Sequence, residues 1–90
     1  TIAQHNGSSV SAYSARGDLV WTSTGTGLSG VRGLAYVPQH DQVAVCSHGN
    51  KQVQLLKART GQHMRTISTG QAHPCSVCWD DVTQVLVVGQ

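Results

Sequence analysis

The chain has 90 residues, of which 39% are hydrophobic and 11% charged, and its formal net charge is +2. This composition is too apolar and too weakly charged for a disordered chain, and the small charge does not by itself indicate a nucleic-acid or membrane partner. Three cysteines cannot all pair within one chain, which argues against a disulfide framework and favours a reducing compartment, the cytoplasm.

The elements expected along the chain are short strands, because ten glycines, no Phe and many Ser, Thr and Gln favour strands and turns over helices. Residues 1–28 are predicted to hold three strands, residues 29–70 four and residues 71–90 two. In the middle segment, apolar and polar residues alternate in four runs separated by Pro, Gly, Asn and Asp. These predicted strands are Arg32–Val37, Gln42–Cys46, Gln52–Leu56 and His63–Ile67.

The sequence repeats itself with a period of roughly 42 residues, a period typical of propellers and helical arrays. Val10 aligns with Val53, and the run from Asp41 to His48 matches the run from Thr83 to Gln90. The N-terminal TIAQH looks like an earlier copy of the same strand. The sequence therefore predicts an internally repeated all-β fold.

Four strands in roughly 42 residues is the size of one blade of a β-propeller. We therefore predict four-stranded antiparallel blades, about two of them in this chain. Residues 1–28 would supply the last three strands of one blade, residues 29–70 a complete blade, and residues 71–90 the first two strands of the next.

A family resemblance is carried by two stretches of the repeat. The sequence GNKQVQLL, Gly49–Leu56, resembles the GNHRIQVF signature of NHL repeats. The preceding GLAYVPQHDQVAVCSHGN, Gly33–Asn50, resembles the lead-in of that repeat, although Cys46–Ser47 replaces its usual Ala-Asp pair. The chain is thus similar to the NHL-repeat β-propellers of tripartite-motif proteins, and a WD-repeat-like propeller is the second resemblance.

The NHL resemblance implies a non-catalytic recognition module that binds a protein partner. In tripartite-motif ubiquitin ligases, such propellers choose the substrate or the target RNA. An RNA-binding face is therefore the alternative function, with phosphates met by Arg and Lys. No cofactor is expected, and no membrane partner, since the longest apolar run is only Val85–Val88.

Catalytic and metal-binding patterns are weak. Cys75-x-x-Cys78, with His73 before it and Cys46 elsewhere, supplies only part of a zinc site, and its two cysteines would point to opposite faces of one strand. We interpret the cysteines as buried, small apolar residues. No Ser lies in a Gly-x-Ser-x-Gly elbow. The sequence therefore predicts neither an enzyme nor a metal site.

Charge is distributed unevenly between the two faces of the predicted propeller. In a blade, the connection before the first strand and the connection between the second and third strands lie on one face. All the acidic residues fall on the opposite face: Asp18, Asp41, Asp80 and Asp81. The acid-free face is predicted to bind the partner, through His5, Arg32, His48, Asn50, Lys51 and His73.

Two blades do not close a propeller, which needs four or more. Two blades alone would also expose long sheet edges, which natural proteins avoid. The chain is therefore expected to be a piece of a longer protein, or else several copies assemble into a ring. We favour the former, and a self-assembling propeller fragment is the further alternative.

Overall fold

A computed structural model describes residues 2–5, 7–70, 74 and 76–89 of the chain. The described residues form three antiparallel sheets and no α-helix; a single 3₁₀ turn covers His48–Asn50. The first sheet has the strand order β1-β2-β3. Its strands are Ile2–His5 (β1), Val10–Tyr13 (β2) and Leu19–Ser23 (β3).

The middle sheet has four strands in sequence order, and the third sheet is a two-stranded hairpin. The middle strands are Val31–Val37 (β4), Gln42–Ser47 (β5), Gln52–Lys57 (β6) and His63–Ser68 (β7). The hairpin is formed by Ser76–Asp80 (β8) and Val85–Gly89 (β9). The all-β antiparallel class is confirmed. The four strands expected between residues 29 and 70 are also confirmed, each longer by one residue at one end.

The hairpin turns of the middle and third sheets have the same geometry. Both turns contain four residues, 38–41 and 81–84, and each ends on a residue in the left-handed region, Asp41 with φ 52° and Gln84 with φ 55°. Matching the two turns places β4 and β5 43 residues before β8 and β9. The hairpins are therefore structural copies of each other.

This offset corrects the sequence alignment of the repeat by one residue. The sequence match pairs Val43 with Val85, whereas the structure makes Leu86 the equivalent of Val43. The strand from Val85 to Val88 is apolar at every position, so its pattern does not show which residues share a face. The turn, and not the apolar pattern, sets the register.

The middle sheet packs against a neighbouring sheet on each of its two faces. β4 lies against β1 on one side and against β8 on the other. The core between the first and middle sheets contains Val10, Ala12, Trp21, Leu28, Val31, Val43, Val45 and Leu56. The core between the middle and third sheets contains Ala44, Cys46 and Val53, with Val77, Leu86 and Val88 packed against them.

The three sheets stack in the same sense. Val43 and Val45 of β5 face the preceding sheet, and their equivalents in β9, Leu86 and Val88, also face the preceding sheet. Each sheet thus presents one face backward and the other forward along the chain. No helix in the described part of the chain has the length and apolar character needed to cross a bilayer.

Candidate recognition surface

All four carboxylates of the chain lie at one end of the stacked sheets, here called the acidic end. Asp18 precedes β3, Asp41 precedes β5, and Asp80 and Asp81 lie where β8 meets its turn. Backbone and side-chain bonds hold these turns together: the Ala58 N–H donates to the Asp41 carbonyl over 2.9 Å, and Gln39 Nε2 donates to Asp81 Oδ1 over 3.2 Å. The segregation of charge expected from the sequence is therefore present in the three sheets.

The opposite end, called here the acid-free end, is built from the connection 24–30 and the turn 48–51. Backbone bonds join the two segments, from the His48 N–H to the Gly30 carbonyl over 3.0 Å and from the Gly49 N–H to the Ser29 carbonyl over 2.8 Å. The Val31 N–H donates to the Gly7 carbonyl over 2.8 Å, which adds the β1–β2 turn to the same end. Three connections thus form one continuous surface.

Two buried polar side chains lie beneath this surface and hold the connection 24–30 in place. Gln54 is fully buried; its Oε1 accepts from the Thr26 N–H over 3.1 Å, and its Nε2 donates to Gln52 Oε1 over 3.3 Å. Ser47 is also fully buried, and its Oγ accepts from the Ser29 N–H over 3.0 Å. Buried polar groups are costly unless they are bonded, so these bonds stabilise one loop conformation.

Four of the predicted binding residues meet at the acid-free end. Arg32 is exposed at the start of β4. Lys51 is half-buried with φ 57°, and its carbonyl accepts from the Thr69 N–H over 3.0 Å. His48 and Asn50 lie in the 3₁₀ turn between β5 and β6. These residues present two cations and no carboxylate to the solvent.

The remaining two predicted residues, His5 and His73, are described only in part or not at all, and Asn50 has a structural role. The backbone of His5 ends β1 at the acid-free end, in register with Val10. His73 lies outside the described residues. Asn50 Nδ2 donates to the Gly27 carbonyl over 2.6 Å, so its amide group also fastens the connection 24–30. The structural roles of Asn50, Gln54 and Ser47 could not be predicted from the sequence, because their hydrogen-bond partners lie far away along the chain.

Side chains of the acidic end are largely paired with one another. Asp41 accepts from the Tyr36 hydroxyl over 3.2 Å and forms an ion pair with Arg59, whose Nε lies 3.0 Å from Oδ2. Desolvation of the phenol, its hydrogen bond to Asp41 and the charge of that carboxylate raise the pKa of Tyr36, while the Arg59 cation lowers it. Asp41 therefore has a structural role in this end of the sheet, and its carboxylate is paired with the guanidinium of Arg59.

A second cluster at the acidic end centres on Trp79. Its Nε1 donates to Asp81 Oδ1 over 2.8 Å and to Gln39 Oε1 over 2.9 Å, and the His40 ring meets its ring edge-on with centroids 6.4 Å apart. Trp79 is the structural equivalent of Tyr36, and both aromatic side chains are bonded to an Asp of their own hairpin. The two hairpins thus share a hydrogen bond from an aromatic side chain to an Asp, as well as their turn geometry.

Two open clefts lie between the sheets. The first, of about 640 Å³, separates the first and middle sheets and is lined by Val20, Leu34, Tyr36 and Arg59 among others. The second, of about 580 Å³, separates the middle and third sheets, and its lining includes Leu55, Met64, Arg65, Ile67 and Trp79. Both linings are mixed apolar and polar, as expected for gaps between packed layers.

The cysteines differ from one another in burial. Cys46 is buried, as expected, but Cys78 is exposed, which corrects the interpretation of all the cysteines as buried. Cys78 lies on the face of the third sheet that no other sheet covers among the described residues, whereas Cys46 lies in the core. Cys75 is outside the described part. Within that part, no three His, Cys, Asp or Glu side chains form a group that could hold a metal ion.

No protein-family model matches this chain, and no curated protein matches it.

Proposed function

We propose that the chain is part of an NHL-like β-propeller and acts as a non-catalytic recognition module, whose acid-free end binds an acidic surface of a protein partner. The observation that carries this proposal is the placement of every carboxylate of the chain at the opposite end. Selecting the substrate of a ubiquitin ligase is the specific form of this function that the NHL resemblance implies.

The propeller part of the proposal is supported by how the sheets repeat. Sheets of three, four and two strands stack in one sense, and the hairpins of the last two share their turn geometry at a 43-residue offset. Face-to-face stacking of four-stranded antiparallel sheets is the architecture of a propeller. A β-sandwich has no reason to repeat at this period.

The choice of a protein over an RNA partner follows from the aromatic residues. Single-stranded RNA is held by stacking bases on aromatic side chains as well as by cations. Trp21 is buried, Tyr36 and Trp79 belong to the acidic end, and Tyr13 ends β2 beside the turn that contains Asp18. The acid-free end therefore offers charge without a stacking surface, which fits acidic side chains better than bases.

The test removes the same charge from either end of the sheets. The Arg32→Gln/Lys51→Gln variant neutralises the acid-free end, and the Arg16→Gln/Lys57→Gln variant removes two exposed cations from the acidic end with the same net charge. Binding of a fluorescent glutamate-rich peptide and of a uridine-rich RNA 12-mer is measured across a salt titration. Exposed ion pairs contribute about 0.2–1 kcal/mol each, so we expect the first variant to bind the peptide about 2- to 30-fold more weakly.

Equal weakening by both double variants would contradict the proposal, because net charge alone would then control binding. Tighter binding of the RNA than of the peptide, with a steep salt dependence that Arg32→Gln/Lys51→Gln abolishes, would favour the RNA-binding alternative.

A further inference from the structure

The two cations of the acid-free end lie on either side of one strand end. Ser47, the last residue of β5, pairs with Val31 of β4 and with Gln52 of β6. Arg32 follows Val31, and Lys51 precedes Gln52, so the two cations flank the end of β5. Neighbouring strands lie about 4.8 Å apart, so Val31 and Gln52 are about 10 Å from each other. The long side chains of arginine and lysine can meet over this distance.

Arg32 lies in a β-bulge. The register between β4 and β5 shifts between Val31 and Gly33, so Arg32 has no residue opposite it in β5. Its side chain is exposed. Bulges of this kind re-aim a side chain, and they are over-represented next to functional sites. The bulge therefore releases Arg32 from the regular alternation of the strand and leaves it exposed at the acid-free end.

Lys51 occupies a backbone conformation that its side chain disfavours. Its φ of 57° and ψ of 46° are left-handed, where glycine carries no steric penalty and lysine does. The Lys51 N–H donates to the His48 carbonyl over 3.3 Å, and the Lys51 carbonyl accepts from the Thr69 N–H over 3.0 Å, which holds this conformation from both sides. Strained positions cluster at binding sites. Because glycine would suit this turn better, the lysine indicates a role for the ammonium group.

The protein itself does not neutralise these two cations. Arg32 and Lys51 form no ion pair with any of the four carboxylates of the chain, which all lie at the acidic end. The guanidinium of Arg59, by contrast, is paired with Asp41. The attraction between charges grows with the charge of the ligand, so two neighbouring cations select an anion that carries more than one charge.

A phosphate monoester matches this pair of cations better than a carboxylate does. It carries a charge of about −1.5 to −2 at neutral pH and has three strong acceptor oxygens. A guanidinium binds two of these oxygens at once, and an ammonium binds the third as a point charge. A single Asp or Glu carboxylate, or one phosphodiester of an RNA backbone, carries one charge and would neutralise only one of the two cations.

We propose that Arg32 and Lys51 together bind one phosphoserine or phosphothreonine side chain of the protein partner. This inference rests on the proposed function, because it names the chemical group that the acid-free end recognises. The surface around the two cations is already ordered, since the backbone bonds of His48 and Gly49 join the turn 48–51 to the connection 24–30. A preorganised site loses less conformational entropy on binding.

The first test compares peptides that differ in one group. Short fluorescent peptides of one neutral sequence carry at their centre a serine, a phosphoserine or two adjacent glutamates, and their affinity for the full chain is measured by fluorescence anisotropy. The two glutamates supply about the charge of the phosphate, but on two separate side chains. We expect the phosphoserine peptide to bind about 10-fold more tightly than the diglutamate peptide. Equal affinities would overturn the proposal.

Single variants show whether both cations bind the same group. Arg32→Gln and Lys51→Gln should each abolish the preference for phosphoserine over diglutamate, and the double variant should lose little more, because residues that share one ligand are coupled. Arg16→Gln and Lys57→Gln, which remove exposed cations from the acidic end, are the matched controls and should keep the preference. A preference that survives in either Arg32→Gln or Lys51→Gln would overturn the proposal.

A glycine at position 51 separates binding from folding. Lys51→Gly removes the ammonium group and also relieves the left-handed strain. We therefore expect its melting temperature to rise by a few degrees, while its affinity for the phosphoserine peptide falls about 10-fold. Such a variant cannot owe its weaker binding to misfolding. Phosphoserine binding as tight as that of the unchanged chain would overturn the role assigned to Lys51.

This inference and the proposed function fail in different ways. If binding of the glutamate-rich peptide depends on Arg32 and Lys51 but phosphoserine gives no advantage, the phosphate site is refuted and the proposed function stands. Equal weakening of both peptides by Arg16→Gln/Lys57→Gln and by Arg32→Gln/Lys51→Gln would refute the two together, because net charge alone would then control binding.

Discussion

Gln54 is a fully buried side chain in the middle sheet, and its Oε1 accepts the N–H of Thr26 over 3.1 Å from the connection that leads into that sheet. This bond reaches across 28 residues of sequence. It fixes the floor of the acid-free end, because the same connection carries the carbonyls to which His48, Gly49 and Asn50 donate. The surface proposed to bind the partner therefore depends on this buried amide as well as on Ser47 and Asn50.

Replacing Gln54 with leucine is expected to destabilise this end. Gln54→Leu keeps the volume nearly constant but removes the acceptor of the Thr26 N–H, and the net contribution of such a hydrogen bond is about 0.5–1.5 kcal/mol. The free energy of unfolding in urea measures this loss, and amide exchange at Thr26 locates it. Gln62→Leu, at an exposed position, is the control. Equal losses in the two variants would contradict the role assigned to Gln54.

Gly17 and Gly61 lie in equivalent turns, and alanine substitutions at the two positions separate the cost of overpacking from the cost of backbone strain. Gly61 and Gly17 both have positive φ, 77° and 91°. A Cβ at Gly61 would lie 2.5 Å from the ring of Trp21, whereas nothing lies within 4 Å of one at Gly17. Both alanine variants incur the left-handed cost of about 1–2 kcal/mol, and Gly61→Ala should lose roughly 1–3 kcal/mol more through overpacking.

Thermal unfolding of these two variants gives the comparison directly. Trp21 fluorescence provides a second readout, since its Nε1 donates to the Ala58 carbonyl over 2.8 Å and displacement of the ring would break this bond. Similar melting temperatures for Gly61→Ala and Gly17→Ala would mean that the first sheet does not pack on the β6–β7 turn as described.

The phenol of Tyr36 is expected to report on the acidic end. Its pKa is raised above the usual 10.0, so the interaction stabilises the fold below pH 10 and is lost as the pH rises through the folded-state pKa. Asp41→Asn removes the negative charge and should lower this pKa. Absorbance at alkaline pH, in a Tyr13→Phe background, follows Tyr36 alone. Asp18→Asn is the control, and an equal shift there would contradict the assigned cause.

The buried Cys46 and the exposed Cys78 should differ in their reactivity. In a Cys75→Ser background, an alkylating reagent should modify Cys78 quickly and the buried Cys46 only on unfolding. Equal modification rates of the two thiols in the folded protein would contradict the burial of Cys46.

The strands could be predicted from the sequence because alternation and turn residues are local signals. Turn chemistry at Pro38–Asp41 and Arg59–Gly61 bounds runs with a clear period of two, so the four middle strands were found to within one residue. The charge segregation followed from the same reasoning, because the positions of the acids in antiparallel hairpins determine their end of the sheet.

The register of the third sheet, and the polar side chains that hold the acid-free end in place, could not be predicted from alternation and turn residues. The run Val85–Val88 fits either register by hydrophobicity, and only the left-handed turn residue Gln84 selects one. Gln54 lies next to Val53 on a strand buried on both faces, so alternation does not show that the amide is buried. The amide of Asn50 looked available for binding, but its donor is used within the fold.

The bonds of the connection 24–30 also define where the repeat can be cut. Residues from Thr24 to Thr69 contain the middle sheet, the loop bonded to Gln54, Ser47 and Asn50, and the closing bond from Thr69 to Lys51. A protein engineer who multiplies this repeat should therefore keep the connection 24–30 together with the middle sheet that follows it. A module that began after this connection would separate Gln54, Ser47 and Asn50 from their own hydrogen-bond partners. Every junction in the array would then lack these bonds.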